Sequence, residues 1–136
     1  MKSENDSKTY TLHRYFIWCN KMRTEFDKLL QIKKEDKPDS FSIESMLYMS
    51  YWYAGLYVVI EGWHELNLTD DKIDKLLESK NVDLLRRYRN GVFHFQKEYY
   101  DNRFFEFIKD GENCVEWIRE LNNQFGRYFL EFFGRV

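Results

Sequence analysis

Apolar residues recur at every third or fourth position through the first part of the chain, which predicts a long amphipathic helix over residues 9–34. Its apolar stripe consists of Leu12, Tyr15, Phe16, Cys19, Met22, Phe26, Leu29 and Leu30. The polar residues 1–8 before this stripe predict a disordered or frayed N-terminus. Pro38 is the single proline of the chain, and the charged residues around it predict a turn over residues 34–40.

The next segment predicts a helix over residues 42–64 that has no polar face. A helix that is apolar on every side has to be covered on every side. It is therefore either the central helix of a bundle or one half of a subunit interface, and the sequence leaves both interpretations open. Its apolar residues are Ile43, Leu47, Tyr48, Tyr51, Trp52, Leu56, Val59, Ile60 and Trp63.

Capping residues divide the middle of the chain. Thr69, followed by acidic residues, is the predicted N-cap of a short helix. The inward face of that helix carries Ile73, Leu76 and Leu77. Asn81 is a second candidate cap, and the helix that it opens is predicted to be interrupted or ended by Gly91.

The last part of the chain predicts one further short helix and one long one. The aromatic segment 93–107 has an irregular pattern with room for a short helix, and Asp110 and Gly111 predict a turn. The final stripe consists of Val115, Ile118, Leu121, Phe125, Phe129 and Phe132. No segment alternates as a half-buried strand does, so we expect an all-α fold in which residues 9–136 form a single-domain bundle of four to five helices.

Composition restricts the classes of function. The net charge of −2 argues against a globally basic surface for nucleic acid, so any polyanion site has to be local. The two cysteines lack metal or disulfide spacing, and the N-terminus lacks the apolar stretch of a signal peptide, which together predict a cytoplasmic protein. The longest apolar run is too short for a membrane span. The three histidines are scattered and no glycine-rich phosphate loop occurs, so we expect neither metal nor cofactor.

The segment from Arg86 to His94 holds the densest positive charge in the chain. One interpretation is structural: arginines offset the dipole at a helix C-terminus, Gly91 ends the helix, and His94 is a half-buried hydrogen-bonded side chain. The other interpretation is chemical. Histidine titrates near neutral pH and arginine matches phosphate geometry, so Arg89 and His94 have the groups that cleavage of RNA requires.

Residues Arg89, Asn90 and His94 resemble the motif of the HEPN domain family, in which an arginine and a polar residue precede a histidine. HEPN proteins are small helical nucleases and nucleotide-binding modules of bacterial toxin and defence systems. The resemblance implies a metal-independent endoribonuclease that acts as a homodimer with a composite site. One HEPN subtype carries a tyrosine two positions after the histidine, which its antitoxin modifies. Gln96 stands there in this chain, so that mode of control is not expected.

In this hypothesis Arg89 binds the phosphate, His94 transfers protons, and Asn90 orients the imidazole or holds a phosphate oxygen. Five residues turn an ideal helix through about 500°, which leaves Arg89 and His94 about 140° apart in direction. The two side chains converge only if the helix distorts at Gly91 or if a second subunit supplies one of them.

Other charged residues complete the candidate site. Arg86, Arg87 and Arg103 are candidates for an RNA path, although solvated helix faces explain them equally well. The aromatic residues beside Arg103 are more often core than base-stacking. Glu61 is a candidate supporting carboxylate, and if buried it needs a cation, for which the arginines of residues 86–89 are the predicted source.

The sequence thus favours a HEPN-like endoribonuclease or RNA-binding protein with an RNA substrate and an antitoxin or other protein partner. Two alternatives stay open. One is a non-catalytic helical module that binds a nucleotide or a protein, and the other is a small dimeric adaptor. The acidic pI of about 5.9 slightly favours these alternatives, because proteins that grip long RNA usually carry more positive charge.

Overall fold

The computed structural model describes residues 4–35 and 43–134, and every regular element within these ranges is an α-helix. The helices are α1 (Glu4–Glu35), α2 (Ile43–Glu65), α3 (Asp71–Leu76), α4 (Asn81–Phe93), α5 (Arg103–Asp110) and α6 (Cys114–Gly134). The predicted all-helical bundle is confirmed. The described residues form six helices rather than four or five, because two short helices, α3 and α5, accompany the four longer ones.

The first helix starts earlier than its apolar stripe. It begins at Glu4, so residues 4–8, for which a frayed N-terminus was predicted, are helical. Two acidic residues in the first turn, Glu4 and Asp6, are favourable at the positive end of the helix dipole. The predicted turn at residues 34–40 overlaps the end of α1 at residues 34 and 35, and its remainder, with Pro38, lies outside the described residues.

Helices α1 and α2 pack closely in antiparallel directions because glycines of α2 face α1. A Cβ atom on Gly55 would lie 2.6 Å from the Cβ of Cys19, and one on Gly62 would meet the side chain of Leu12. Gly55 comes before Gly62 along α2, whereas their contacts Cys19 and Leu12 follow the reverse order along α1, so the two helices are antiparallel. Any larger side chain at Gly55 would push the two helices apart.

Helix α2 is the central helix over most of its length. Its side chains from Trp52 to Trp63 pack against α1, α4 and α6, and most of them are fully buried. Its N-terminal end differs, since Met46, Leu47 and Tyr51 are exposed. The interpretation as a central helix therefore holds for residues 52–63, whereas the first turns of α2 present an apolar face that no other described residue covers.

Buried tryptophans join the short helices to the long ones. Trp63 donates from Nε1 to Asp74 of α3 at 2.9 Å, and Trp117 donates to the carbonyl of Leu76 at 3.0 Å. Trp52 donates to Asn122 of α6 at 3.0 Å. Each indole N–H that is removed from water thus has an acceptor.

The two predicted helix caps are wrong in detail. The N-cap of α3 is Asp70 rather than Thr69, and its carboxylate accepts from the backbone N–H groups of Lys72 and Ile73 at 3.1 and 3.0 Å. Asn81 does not cap α4. Its buried amide exchanges two hydrogen bonds with the backbone of Glu112, which ties the start of α4 to the connection before α6. At α3, Asp70 and Thr69 both satisfy the sequence rule, because neighbouring polar residues compete for the same position, whereas the N-cap residue of α4, Lys80, makes no side-chain capping hydrogen bond.

Candidate functional site

Helix α4 does not break at Gly91, contrary to the sequence prediction. The helix continues to Phe93, and His94 is its C-cap residue. Gly91 is buried beneath α5, where an added Cβ would lie 3.2 Å from the Cβ of Arg103 and 3.4 Å from the ring of Phe104. The glycine therefore permits close packing of α4 against α5 and does not end the helix.

The guanidinium of Arg89 is held by three groups. Its Nη1 donates to Glu61 at 2.5 Å, and its Nε donates to the Oδ1 of Asn90 at 3.0 Å. Its Cζ lies 4.8 Å from the ring centroid of Tyr57, which is a cation–π contact. The side chain is 19% exposed. Nη2 is the nitrogen of this guanidinium that no described residue engages, so an incoming phosphate would meet Arg89 there.

Glu61 pairs with Arg89, a member of the arginine cluster that the sequence named as the source of a cation for a buried Glu61. Glu61 lies on α2, on the same helical face as Tyr57, which is four residues earlier. Its side chain is 47% exposed rather than buried. The pair therefore orients the guanidinium at the surface, and solvent weakens its contribution to stability.

The imidazole of His94 is exposed at the end of α4. Its backbone is fixed, because its N–H donates to the carbonyl of Asn90 at 3.1 Å and its carbonyl accepts from Gln96 Nε2 at 2.8 Å. Among the described residues, no hydrogen bond or ion pair engages its side chain. This arrangement contradicts the half-buried, hydrogen-bonded histidine of the structural interpretation.

Asn90 orients Arg89 and not His94. Its Oδ1 accepts from the Nε of Arg89, and only its backbone carbonyl contacts residue 94. No hydrogen bond between the side chains of Arg89 and His94 occurs in the part of the chain that the structure describes. One chain thus supplies a fixed guanidinium and an uncommitted imidazole without joining them.

The three arginines predicted for an RNA path all have protein partners. Arg86 pairs with the exposed Asp83 of its own helix at 2.8 Å. Arg87 donates two hydrogen bonds to Glu106 at 2.5 and 3.0 Å, which links α4 to α5 and, with burial opposing it, lowers the pKa of Glu106. Arg103 donates to Gln96 and lies 3.5 Å from Asp101. Arg87 is therefore chiefly an inter-helix contact.

The aromatic residues beside Arg103 were predicted to belong to the core, and this is wrong for Tyr99 and Tyr100. Tyr99 and Tyr100 are 85% and 76% exposed, and Phe95 is more exposed still. Phe107, at the end of the aromatic segment 93–107, is the fully buried ring. The connection between α4 and α5 thus presents aromatic rings to solvent next to His94.

Neither cysteine has the environment of a nucleophile. Both are buried and free. Burial raises the pKa of Cys19 to about 12, and it also raises the pKa of Cys114. Both thiols are therefore protonated at neutral pH and serve as small apolar residues of the core.

Sequence reasoning missed one group near the site. Arg14 and Trp18 lie on the exposed side of α1, where the Cζ of Arg14 is 5.4 Å from the ring centroids of both Tyr15 and Trp18. The available signal was an arginine four residues before a tryptophan, which places the two on one helical face.

Residues 4–35 and 43–134 contain no cluster of three or more His, Cys, Asp and Glu residues with the arrangement of a metal site. No helix within these ranges is both long enough and apolar enough to cross a membrane. Comparison of the chain with protein-family models, curated proteins and solved structures finds no match. The HEPN resemblance therefore rests on Arg89, Asn90 and His94 and on the helical architecture, and it remains a prediction.

Proposed function

We propose that this chain is a metal-independent endoribonuclease that acts as a homodimer, of the toxin or defence type that the HEPN resemblance implies. The observation that carries the proposal is at the end of α4. His94 presents an exposed imidazole without a hydrogen-bond partner among the described residues, one turn beyond a guanidinium held by Glu61, Asn90 and Tyr57.

The reaction follows from these groups. One imidazole removes the proton of the ribose 2′-OH, whose oxygen forms a bond to phosphorus while the bond from phosphorus to the 5′-oxygen breaks. An imidazolium protonates the departing 5′-oxygen, and the products are a 2′,3′-cyclic phosphate and a 5′-hydroxyl. Arg89 stabilises the charge that builds up on the phosphate oxygens. A dimer supplies two histidines, one for each proton transfer.

The exposed apolar end of α2 supports the homodimer. Met46 and Leu47 are exposed about one turn before Tyr51, whose ring lies 5.8 Å from that of Phe93, next to His94. The uncovered face of α2 is therefore at the same end of the molecule as the candidate site. Burying this face against a second copy would bring two α4 termini together.

A cleavage assay tests the proposal. Purified protein should cleave single-stranded RNA in EDTA and leave 2′,3′-cyclic phosphate ends. His94→Ala should reduce the rate by about 10²–10⁴-fold, the usual contribution of general acid–base catalysis. Arg89→Ala should abolish cleavage, and Arg89→Lys should restore little, because an ammonium lacks the separate planar nitrogens that contact Asn90, Glu61 and a phosphate at once.

His64→Ala is the matched control, since His64 is an exposed histidine at the end of α2. It should cleave as the wild type does, and circular dichroism should show the same helix content for all variants. Full activity of His94→Ala, or a dimeric wild-type protein that leaves all RNA intact, would rule out the ribonuclease.

A second candidate, a non-catalytic module that binds a nucleotide or a protein, is favoured by the pairing of Arg86, Arg87 and Arg103. These pairs leave little free positive charge for a long RNA. This candidate predicts that nucleotides raise the melting temperature in an Arg89-dependent way while RNA remains uncleaved.

A further inference from the structure

An aromatic groove lies between α1 and α4, with α2 as its floor. It has a volume of about 400 Å³ and is lined by Tyr15, Trp18, Met22, Tyr51, Val58 and Phe93. This volume is within the range of about 300–1,000 Å³ that is usual for small-ligand sites. Trp18 is 57% exposed there, whereas the other three tryptophans are buried. A concave cluster of exposed rings is a feature of binding sites.

Two of the rings that line the groove contact an arginine whose charge no described carboxylate neutralises. Arg14 lies over the rings of Tyr15 and Trp18. Among the described residues, Arg14 has no carboxylate partner, whereas every other described arginine forms an ion pair. A ligand with both an aromatic ring and a negative charge would complement this combination of apolar lining and free guanidinium.

The opposite wall of the groove is formed by Phe93, near the end of the helix that carries the candidate catalytic residues. Phe93 lines the groove, and it is followed directly by His94. Arg89 is four residues before Phe93 and thus shares its face of α4. Both residues contact α2, Phe93 through Tyr51 and Arg89 through Glu61. A base in the groove would lie against the part of α4 that carries Arg89 and His94.

We propose that the aromatic groove binds one unpaired base of the RNA substrate, with Arg14 on a flanking phosphate. The proposal rests on the proposed function and specifies its substrate as single-stranded RNA. Base stacking on aromatic side chains tolerates all four bases, because every base has a flat π-face. The uncompensated charge of Arg14 favours a ligand with phosphates over the apolar surface of a second copy.

Trp18 supplies a direct reporter, as it is the exposed tryptophan of the four. The probe is a 2′-O-methyl RNA hexamer, which binds without being cleaved because it lacks the free 2′-OH. We expect saturable quenching of tryptophan fluorescence when the hexamer is titrated into the full chain. In Trp18→Phe the quenching should disappear, while binding followed by anisotropy of a labelled hexamer should remain.

Removal of the rings should weaken binding. Trp18→Ala and Phe93→Ala should each raise the Kd of the hexamer roughly tenfold, as expected for the loss of one stacked base. Arg14→Ala should raise the Kd and reduce its dependence on salt by about one phosphate contact. Ile17→Ala is the matched control, because Ile17 is a half-exposed residue of α1 that lines a different groove, against α6. It should bind as the wild type does.

Unchanged binding in Trp18→Ala and Phe93→Ala would overturn the proposal. It would also be overturned if tryptophan emission changed with protein concentration and not with RNA, since a second copy would then occupy the groove. If cleavage depended on His94 while Trp18→Ala and Phe93→Ala bound RNA as the wild type does, the base-binding proposal would be wrong and the proposed ribonuclease function would stand. Binding that depends on the groove, without cleavage of natural RNA, would support the groove and contradict the catalytic function.

Discussion

At the scale of single residues, the guanidinium of Arg89 determines what the end of α4 can do. An arginine fork can donate two parallel hydrogen bonds to a phosphate. Here Nε already serves Asn90 and Nη1 serves Glu61, so Nη2 is left for a ligand. The sequence named the arginine cluster as the partner of a buried Glu61, and the pair forms although the carboxylate is 47% exposed. The role of Asn90 was not predictable, since spacing does not fix which neighbour a side-chain amide contacts.

The Arg87–Glu106 pair gives a pH dependence at this scale. The hydrogen bond from Arg87 is the largest influence on the pKa of Glu106 and holds it below the ordinary value of 4.5. A lowered folded-state pKa stabilises the fold above the unfolded-state pKa, and this stability is lost as the pH falls through the folded-state value. We therefore expect Glu106→Gln to lower the urea midpoint at about pH 7 and to lower it less at about pH 3.

Asp83→Asn is the control for this experiment, because it removes the exposed pair with Arg86 within one helix. It should change the midpoint less than Glu106→Gln does at neutral pH. If the midpoints of wild type and Glu106→Gln differed equally at both pH values, the pair would not stabilise the fold through its charge.

At the scale of the helices, apolar periodicity predicted the elements well and the glycines poorly. The second helix was predicted over residues 42–64 and is observed as Ile43–Glu65. Gly91 was interpreted as a helix terminator, but it is a contact point for α5. The sequence cannot separate these two functions, because both require the absence of a side chain. Trp18 was missed for a similar reason: a ring at helical spacing has the same pattern whether it faces the core or a groove.

Gly55 tests the close packing of α1 and α2. Gly55→Ala should destabilise the fold by about 1–3 kcal/mol, because its Cβ would lie 2.6 Å from the Cβ of Cys19 and neither helix backbone can yield easily. Urea unfolding measures the change. Gly126→Ala on α6 is the matched control, since its Cβ would meet only the ring of Phe16, at 3.6 Å. That variant should gain roughly 0.5–1 kcal/mol from the higher helix propensity of alanine. A stabilised Gly55→Ala protein would contradict the close approach.

At the scale of the whole molecule, one chain does not bring the two groups of the proposed site together. The helix runs through Gly91 without a break, and Arg89 is turned toward α2 while His94 is exposed at the helix end. Of the two routes by which the sequence allowed these side chains to meet, distortion at Gly91 is wrong, and a second subunit remains. The spacing of Arg89 and His94 showed that one of these two routes is needed. It could not select one, because the apolar residues of α2 that a dimer could bury are known only after folding.

Subunit mixing tests this central claim most directly. Arg89→Ala and His94→Ala proteins are purified separately, mixed, allowed to exchange subunits, and assayed for cleavage of single-stranded RNA in EDTA. A mixed dimer holds one Arg89 and one His94, on different chains, so the mixture should cleave RNA faster than either variant alone but more slowly than the wild type, which has both histidines. A mixture that exchanges subunits and stays inactive, beside an active wild type, would contradict a site shared between subunits.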